Sequence, residues 1–169
     1  MLLVLLLVIL ASGCSTAPTQ RQPAPDPVQQ QALALDIAGD HAGAARLYLQ
    51  AAAAATGAQQ QSLQLLAVDS LIQANELDRA RQLLDEMPQP LANTGLQQGF
   101  SINSAELALA AQHPVEALQL LQQVPQDGPY QADLYRLRAI AYQQEFRYFL
   151  SARERVQLAP LLIDPDAQL

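Results

Sequence analysis

The feature that most narrows what this chain can fold into is a repeat. Leu65, Val68 and Ile72 fall at i, i+3 and i+7 and share one face of a helix. Asn75 interrupts the pattern, and Leu77, Ala80, Leu83, Leu84 and Met87 form a second stripe that stops at Pro88. The same order then returns. Ile102, Ala105 and Leu109 precede a break at His113-Pro114, and Ala117, Leu120, Leu121 and Val124 follow it, closed by Pro125. The offset is 37 residues in both helices (102 − 65 and 120 − 83). A fixed offset of that size marks stacked helix–turn–helix units.

Weaker copies flank the central two. Upstream, Leu33 and Ile37 precede a Gly39-Asp40-His41 turn, and Ala45, Tyr48 and Leu49 follow it. Downstream, Leu134, Leu137 and Ala141 restate the first stripe. A helix after Gln144 then carries Phe149, Ala152 and Val156 before Pro160, with Phe149 where the central units have a small Ala. The pattern predicts an all-α, TPR-like helical-hairpin solenoid of about four pairs, roughly 35 residues each, over residues 28–169. One pair cannot bury both of its apolar faces, whereas stacked neighbours can. Composition agrees, because Ala, Leu and Gln dominate while aromatics are 5% and Trp is absent. Ala80 and Ala117 suit close helix crossings, and Leu83 and Leu120 are equivalent core positions in this register. Pro follows each of those Ala after eight residues (88 − 80 and 125 − 117), sooner than in TPR repeats, so the second helices are short.

The N-terminus has a different character. Leu2 to Leu10 is an unbroken Leu, Val and Ile run, followed by Ala11-Ser12-Gly13-Cys14. A helix needs about 20 apolar residues to cross a bilayer, so this run is too short to span and suits a signal peptide. Small residues directly before a Cys resemble the bacterial lipobox. In such signals the Cys is alkylated by a diacylglyceryl group and its freed amine is acylated, which implies lipidation of Cys14 after removal of residues 1–13. Ala11 stands where a lipobox has Leu, and no positive charge opens the segment. Ser15 after the Cys, in place of the Asp of inner-membrane retention signals, directs the expectation to the outer membrane. Residues 14–27 form a polar tether with four prolines after the Cys (Pro18, Pro23, Pro25, Pro27), expected to be extended.

The single Cys excludes an intramolecular disulfide. The net charge is −7, all nine basic residues being Arg, which argues against nucleic-acid binding. Five Arg (Arg136, Arg138, Arg147, Arg153, Arg155) cluster near the C-terminus and are expected on a solvated face with local Glu partners. His41 and His113 fall in presumed turns without partners at metal-ligand spacing, and no phosphate-binding Gly loop is present. Asp85-Glu86 is expected to face solvent. No catalytic constellation, metal site or cofactor is therefore expected, and the chain reads as a binding scaffold. A solenoid presents a concave surface lined by the first helix of each pair. The residues expected there are Gln64, Asp69, Gln73, Asn103, Glu106, Arg136 and Arg138, a Gln-rich surface with an Arg-bearing end.

The segment QLLAVDSLIQANELDRARQLLDEMP (residues 64–88), with ALQLLQQVP (117–125) and ARERVQLAPLL (152–162), resembles the N-terminal domain of the LpoA family. These are outer-membrane lipoprotein activators of penicillin-binding proteins. The resemblance implies a lipid-anchored periplasmic protein that stimulates a bifunctional peptidoglycan synthase. In the family a domain resembling periplasmic ligand-binding proteins follows and engages the synthase, so this chain resembles the leading part of such an activator. The residues also accommodate a stand-alone TPR-like lipoprotein serving outer-membrane protein assembly or pilus biogenesis, or a periplasmic enzyme with a cryptic site.

If Cys14 is the lipidation site, Cys14→Ser blocks both lipid attachment and release from the signal segment. Mass spectrometry of the mature N-terminus checks this, and an unchanged membrane-bound mature form would refute it.

Overall fold

The computed structural model describes residues 26–163, which form an all-helical structure. The expected signal segment, Cys14, most of the expected tether and residues 164–169 lie outside the described residues. Eight helices follow in order: α1 (Pro27–Ile37), α2 (His41–Ala54), α3 (Gly57–Gln73), α4 (Leu77–Glu86), α5 (Thr94–Ala110), α6 (Pro114–Leu121), α7 (Gln131–Gln144) and α8 (Tyr148–Ile163). Pro27, expected to close the tether, is instead the first helical residue of α1. Its missing N–H is unneeded there, and the Asp26 carboxylate caps the Val28 N–H at 2.8 Å.

One device closes all four pairs. Gly39, Asn75, Gln112 and Phe146 each adopt a left-handed conformation, with φ of 84, 59, 63 and 57°. In each case the next N–H reaches back five residues: Asp40 to Leu35, Glu76 to Leu71, His113 to Ala108 and Arg147 to Tyr142, at 2.8–2.9 Å. This 6→1 bond, with the accompanying bond three residues back from the left-handed residue, is the Schellman arrangement, which satisfies carbonyls that a helix end leaves free. Gly39 adopts this conformation without the Cβ penalty that Gln112 and Phe146 incur. Spacings between the four left-handed residues are 36, 37 and 34 (75 − 39, 112 − 75 and 146 − 112).

Five residues beyond each left-handed residue stands Ala44, Ala80, Ala117 or Ser151, all buried. A small side chain there lets the second helix approach the first, and the Ser151 hydroxyl donates to the Ala139 carbonyl at 2.8 Å. Seven residues before it stand Ala32, Val68, Ala105 and Ala139, also buried. The pairs then stack, α3 packing on α5 and α5 on α7. Leu65, Val68, Ile72, Ala80, Leu84 and Met87 belong to one core cluster; their counterparts 37 residues on, Ile102, Ala105, Leu109, Ala117, Leu121 and Val124, belong to another. The central second helices are short, as expected, with 10 residues in α4 and 8 in α6 against 17 in each of α3 and α5.

The register of the outer units differs from expectation. In α8, Phe149 and Val156 are 83% and 68% exposed and Ala152 is exposed too, whereas Ser151, Glu154 and Leu161 are buried. The turn residue is Phe146, not Gln144, so the small-residue position falls at Ser151 and the inward stripe rotates away from Phe149. The helix also runs through Pro160 to Ile163. The ring removes a bond to the carbonyl of Val156, a residue exposed enough for water to replace it. In α1, Leu33 and Ile37 are 53% and 80% exposed, and Ala32 takes the position against α2. Leu83 and Leu120 are equivalent but only half-buried; the fully enclosed pair is Leu84 and Leu121.

Leu84→Ala and Leu121→Ala are each expected to lower stability by about 2–5 kcal/mol, and Leu83→Ala and Leu120→Ala by roughly half as much. Chemical denaturation of the four variants checks the register, and the reverse order would refute it.

Candidate functional site

A groove of about 580 Å³ runs along the first helices of the pairs. Leu65 of α3 and Ile102 of α5 form its floor, and Leu33 and Ile37 of α1, Leu66 of α3 and Leu96 of α5 add apolar walls. Tyr130, just before α7, closes one side. Gly99 makes that possible. A Cβ there would lie 2.7 Å from the Tyr130 hydroxyl and 3.2 Å from Leu65 Cδ1, so a glycine inside α5 is tolerated for close approach despite costing about 1 kcal/mol of helix propensity. Burial, then the nearby Asp133 charge, raises the Tyr130 phenol above its ordinary pKa.

Five of the seven expected concave residues line this groove: Asp69, Gln73, Asn103, Glu106 and Arg136. Asn103 is buried and its Nδ2 donates to the Leu65 carbonyl at 2.7 Å, so it staples α5 to α3. The Gln73 amide donates to Glu106 Oε1 at 3.3 Å, and Arg136 reaches the same oxygen at 3.2 Å and Asp133 Oδ1 at 3.0 Å. A polar ladder therefore crosses from α3 through α5 to α7. Burial alone would lower the Arg136 pKa, but the charges and hydrogen bonds of Glu106 and Asp133 outweigh it and raise it.

Gln64 and Arg138 do not line the groove. Gln64 is half-buried beside Leu65, and Arg138 turns towards α6, where it donates to the Leu121 carbonyl at 3.3 Å. Two residues along a helix is about 200° of rotation, so Arg136 and Arg138 cannot share a face. The expected Arg-bearing end is therefore one Arg, already paired. Of the other clustered Arg, Arg153 pairs with buried Glu154 at 3.1 Å and Arg147 lies over the Tyr142 ring at 5.1 Å. Asp85 and Glu86 are exposed, as expected.

The groove also holds residues that the repeat did not single out: Asp36, His41, Ser62 and Asp133. A periodic signal existed only for Asp69 and Glu106, which are 37 apart (106 − 69). Asp36 sits three residues before its turn and Asp133 thirteen before its own, so no common offset links them. Four carboxylates thus meet one guanidinium, and the groove is acidic with apolar walls in place of the Gln-rich surface expected.

His41 is not an isolated turn residue. Its Nδ1 lies 2.6 Å from Asp36 Oδ1, and the Ser70 hydroxyl lies 3.2 Å from Asp36 Oδ2 and 3.1 Å from the Leu66 carbonyl. Ser, Asp and His are the types of a hydrolytic triad, but the order is wrong. Such a relay needs the imidazole between serine and carboxylate to take the serine proton. Here the carboxylate stands between, and Ser70 is fully buried. The arrangement ties α3 to the α1–α2 turn. Among the described residues no cluster of three or more His, Cys, Asp or Glu could hold a metal ion, and no helix is long and apolar enough to cross a membrane.

Asp69 is the anomalous group. Burial first, then the like charges of Glu106 and Asp36, push its carboxyl from 3.8 up to about 6; Arg136 opposes the shift and Asp133 adds a little to it.

Fold and groove together define the class: a helical-hairpin solenoid with a concave groove of mixed polar and apolar lining among the described residues. The chain matches the family model described as "LppC putative lipoprotein" over residues 40–168, and it belongs to this LppC lipoprotein family. The match begins at Asp40, the residue that caps α2. Neither a curated protein nor a solved structure matches the chain.

The folded state binds the Asp69 proton more tightly than the unfolded chain does. Asp69 therefore makes stability fall as pH rises from about 4 to about 6, after which the loss is complete. Asp69→Asn is expected to raise the thermal midpoint at about pH 7.5 and to leave it unchanged near pH 4. Thermal unfolding followed by circular dichroism checks this; an equal gain at both pH values would assign the effect to packing and not to charge.

Proposed function

We propose that this chain is the helical part of an outer-membrane lipoprotein that binds a bifunctional penicillin-binding protein and activates its peptidoglycan synthesis. The observation that carries the reading is a stack of four helical pairs, with its groove open, in a chain of a lipoprotein family. The resemblance of residues 64–88, 117–125 and 152–162 to LpoA-type activators supports the choice of partner.

On this reading the protein is a regulator and not a catalyst. Solenoid pairs contact only their neighbours, so the array is a spacer whose reach grows with the number of pairs. Acyl chains on Cys14 would fix one end at the periplasmic face of the outer membrane, and each buried methylene adds about 0.8 kcal/mol to that attachment. The four pairs would extend from there towards a synthase in the inner membrane. An acidic groove disfavours anionic polymers and favours protein surfaces of opposite sign. No cofactor is required.

Affinity capture of the native lipoprotein from detergent-solubilised membranes, with mass spectrometry of bait and partners, tests the reading. The expected result is a lipidated bait that co-purifies with a bifunctional penicillin-binding protein and increases cross-linking when added to the purified synthase. Capture of outer-membrane assembly or pilus components instead, without effect on cross-linking, would favour the stand-alone scaffold.

A further inference from the structure

Each first helix places one carboxylate in the groove: Asp36 from α1, Asp69 from α3, Glu106 from α5 and Asp133 from α7. Three of them have partners within the fold. Asp36 holds His41 and Ser70, while Glu106 and Asp133 share Arg136. The Asp69 carboxylate, on the helix between these two groups, makes no side-chain hydrogen bond or close ion pair to another described residue. Beside it the groove exposes apolar surface: Leu33, Ile37 and Leu66 are 53%, 80% and 44% exposed. Contiguous apolar surface rimmed by polar groups marks an interaction site.

Two features must be met together, an unmatched carboxylate and an apolar wall. A phosphate, a nucleic acid or an anionic lipid would face four carboxylates against one guanidinium. A purely apolar ligand would desolvate Asp69 further. A bare cation would leave the apolar wall wet. An extended peptide meets both conditions, because alternate side chains point the same way about 7 Å apart along a strand. A groove of about 580 Å³ also lies within the size range of sites that enclose a short ligand segment.

We propose that the groove is a receptor for an extended segment of a protein partner, read by one basic side chain paired with Asp69 and by flanking apolar side chains seated on Leu33, Ile37 and Leu66. This rests on the scaffold reading above but not on the identity of the synthase. Binding is pH-dependent with a fixed sign. The arriving cation favours the ionised Asp69 and so displaces its proton, and affinity rises from about pH 5.5 to about pH 7.5. The titratable and charged groups that face Asp69 are Asp36 of α1, Tyr48 of α2, Glu106 of α5, and Asp133 and Arg136 of α7, with His41 lining the same groove.

Fluorescence anisotropy on the full-length lipoprotein in detergent tests the proposal. The probes are two labelled heptapeptide pools with randomised Leu, Val, Ala and Gly flanks, one with a central lysine and one with a central norleucine. The lysine pool is expected to bind about tenfold more tightly than the norleucine pool. Asp69→Asn is expected to remove that preference, whereas Asp85→Asn, an exposed charge outside the groove, keeps it. Ile37→Ser changes an exposed side chain that cannot endanger the fold, and it should weaken both pools. Failure of the lysine pool to bind, equal binding of the two, or a lysine preference that survives Asp69→Asn would overturn the proposal. Peptide binding without synthase capture would retain the groove and dismiss only the named partner; capture without peptide binding would do the reverse.

Discussion

The structure hangs on a single backbone constraint used four times. At Gly39, Asn75, Gln112 and Phe146 the chain passes through left-handed space, and the following N–H closes back on the preceding helix. That bond consumes a carbonyl which would otherwise point into the interface, and it fixes the direction in which the second helix leaves. Moving the turn by one residue would rotate the next helix by about 100° relative to its apolar stripe. The small residue five places on would then miss the crossing. Local turn and long-range packing therefore specify each other.

Stacking four such pairs gathers four first helices on one side, and with them four carboxylates. Each acid would be unremarkable on a solvated helix. Together they repel one another, and the fold offsets this with partners from another helix for two of them, Arg136 for Glu106 and His41 with Ser70 for Asp36, while Asp133 pairs with Arg136 of its own helix. The relief is incomplete at Asp69, which responds by holding its proton to about pH 6. Asp69 is therefore the point in the groove where an arriving positive charge would gain most.

Much of the core was legible because a 37-residue offset carries its own check. Where Leu65, Val68 and Ile72 and their counterparts agree in two copies, chance amphipathicity is excluded, and all six are buried. The outer units lacked that check. Phe146 has no residue-type signature for left-handed backbone, unlike Gly39 or Asn75, so the sequence pattern points to Phe149 for a position that Ser151, two residues on, holds. In α1 the apolar spacing of Leu33 and Ile37 was real, but it faces the groove and not the core.

What the sequence determined by itself was the helical class, the pairing of helices and the central core, because these follow from periodicity and helix-stopping residues over short distances. What only the tertiary structure decided was the chemistry of the concave face. Asp36, His41 and Asp133 join Asp69 and Glu106 through packing between helices far apart in sequence, and Arg138 leaves because it lies about 200° around α7 from Arg136. Charge effects depend on separation and solvent exclusion, and neither quantity exists until the pairs have stacked.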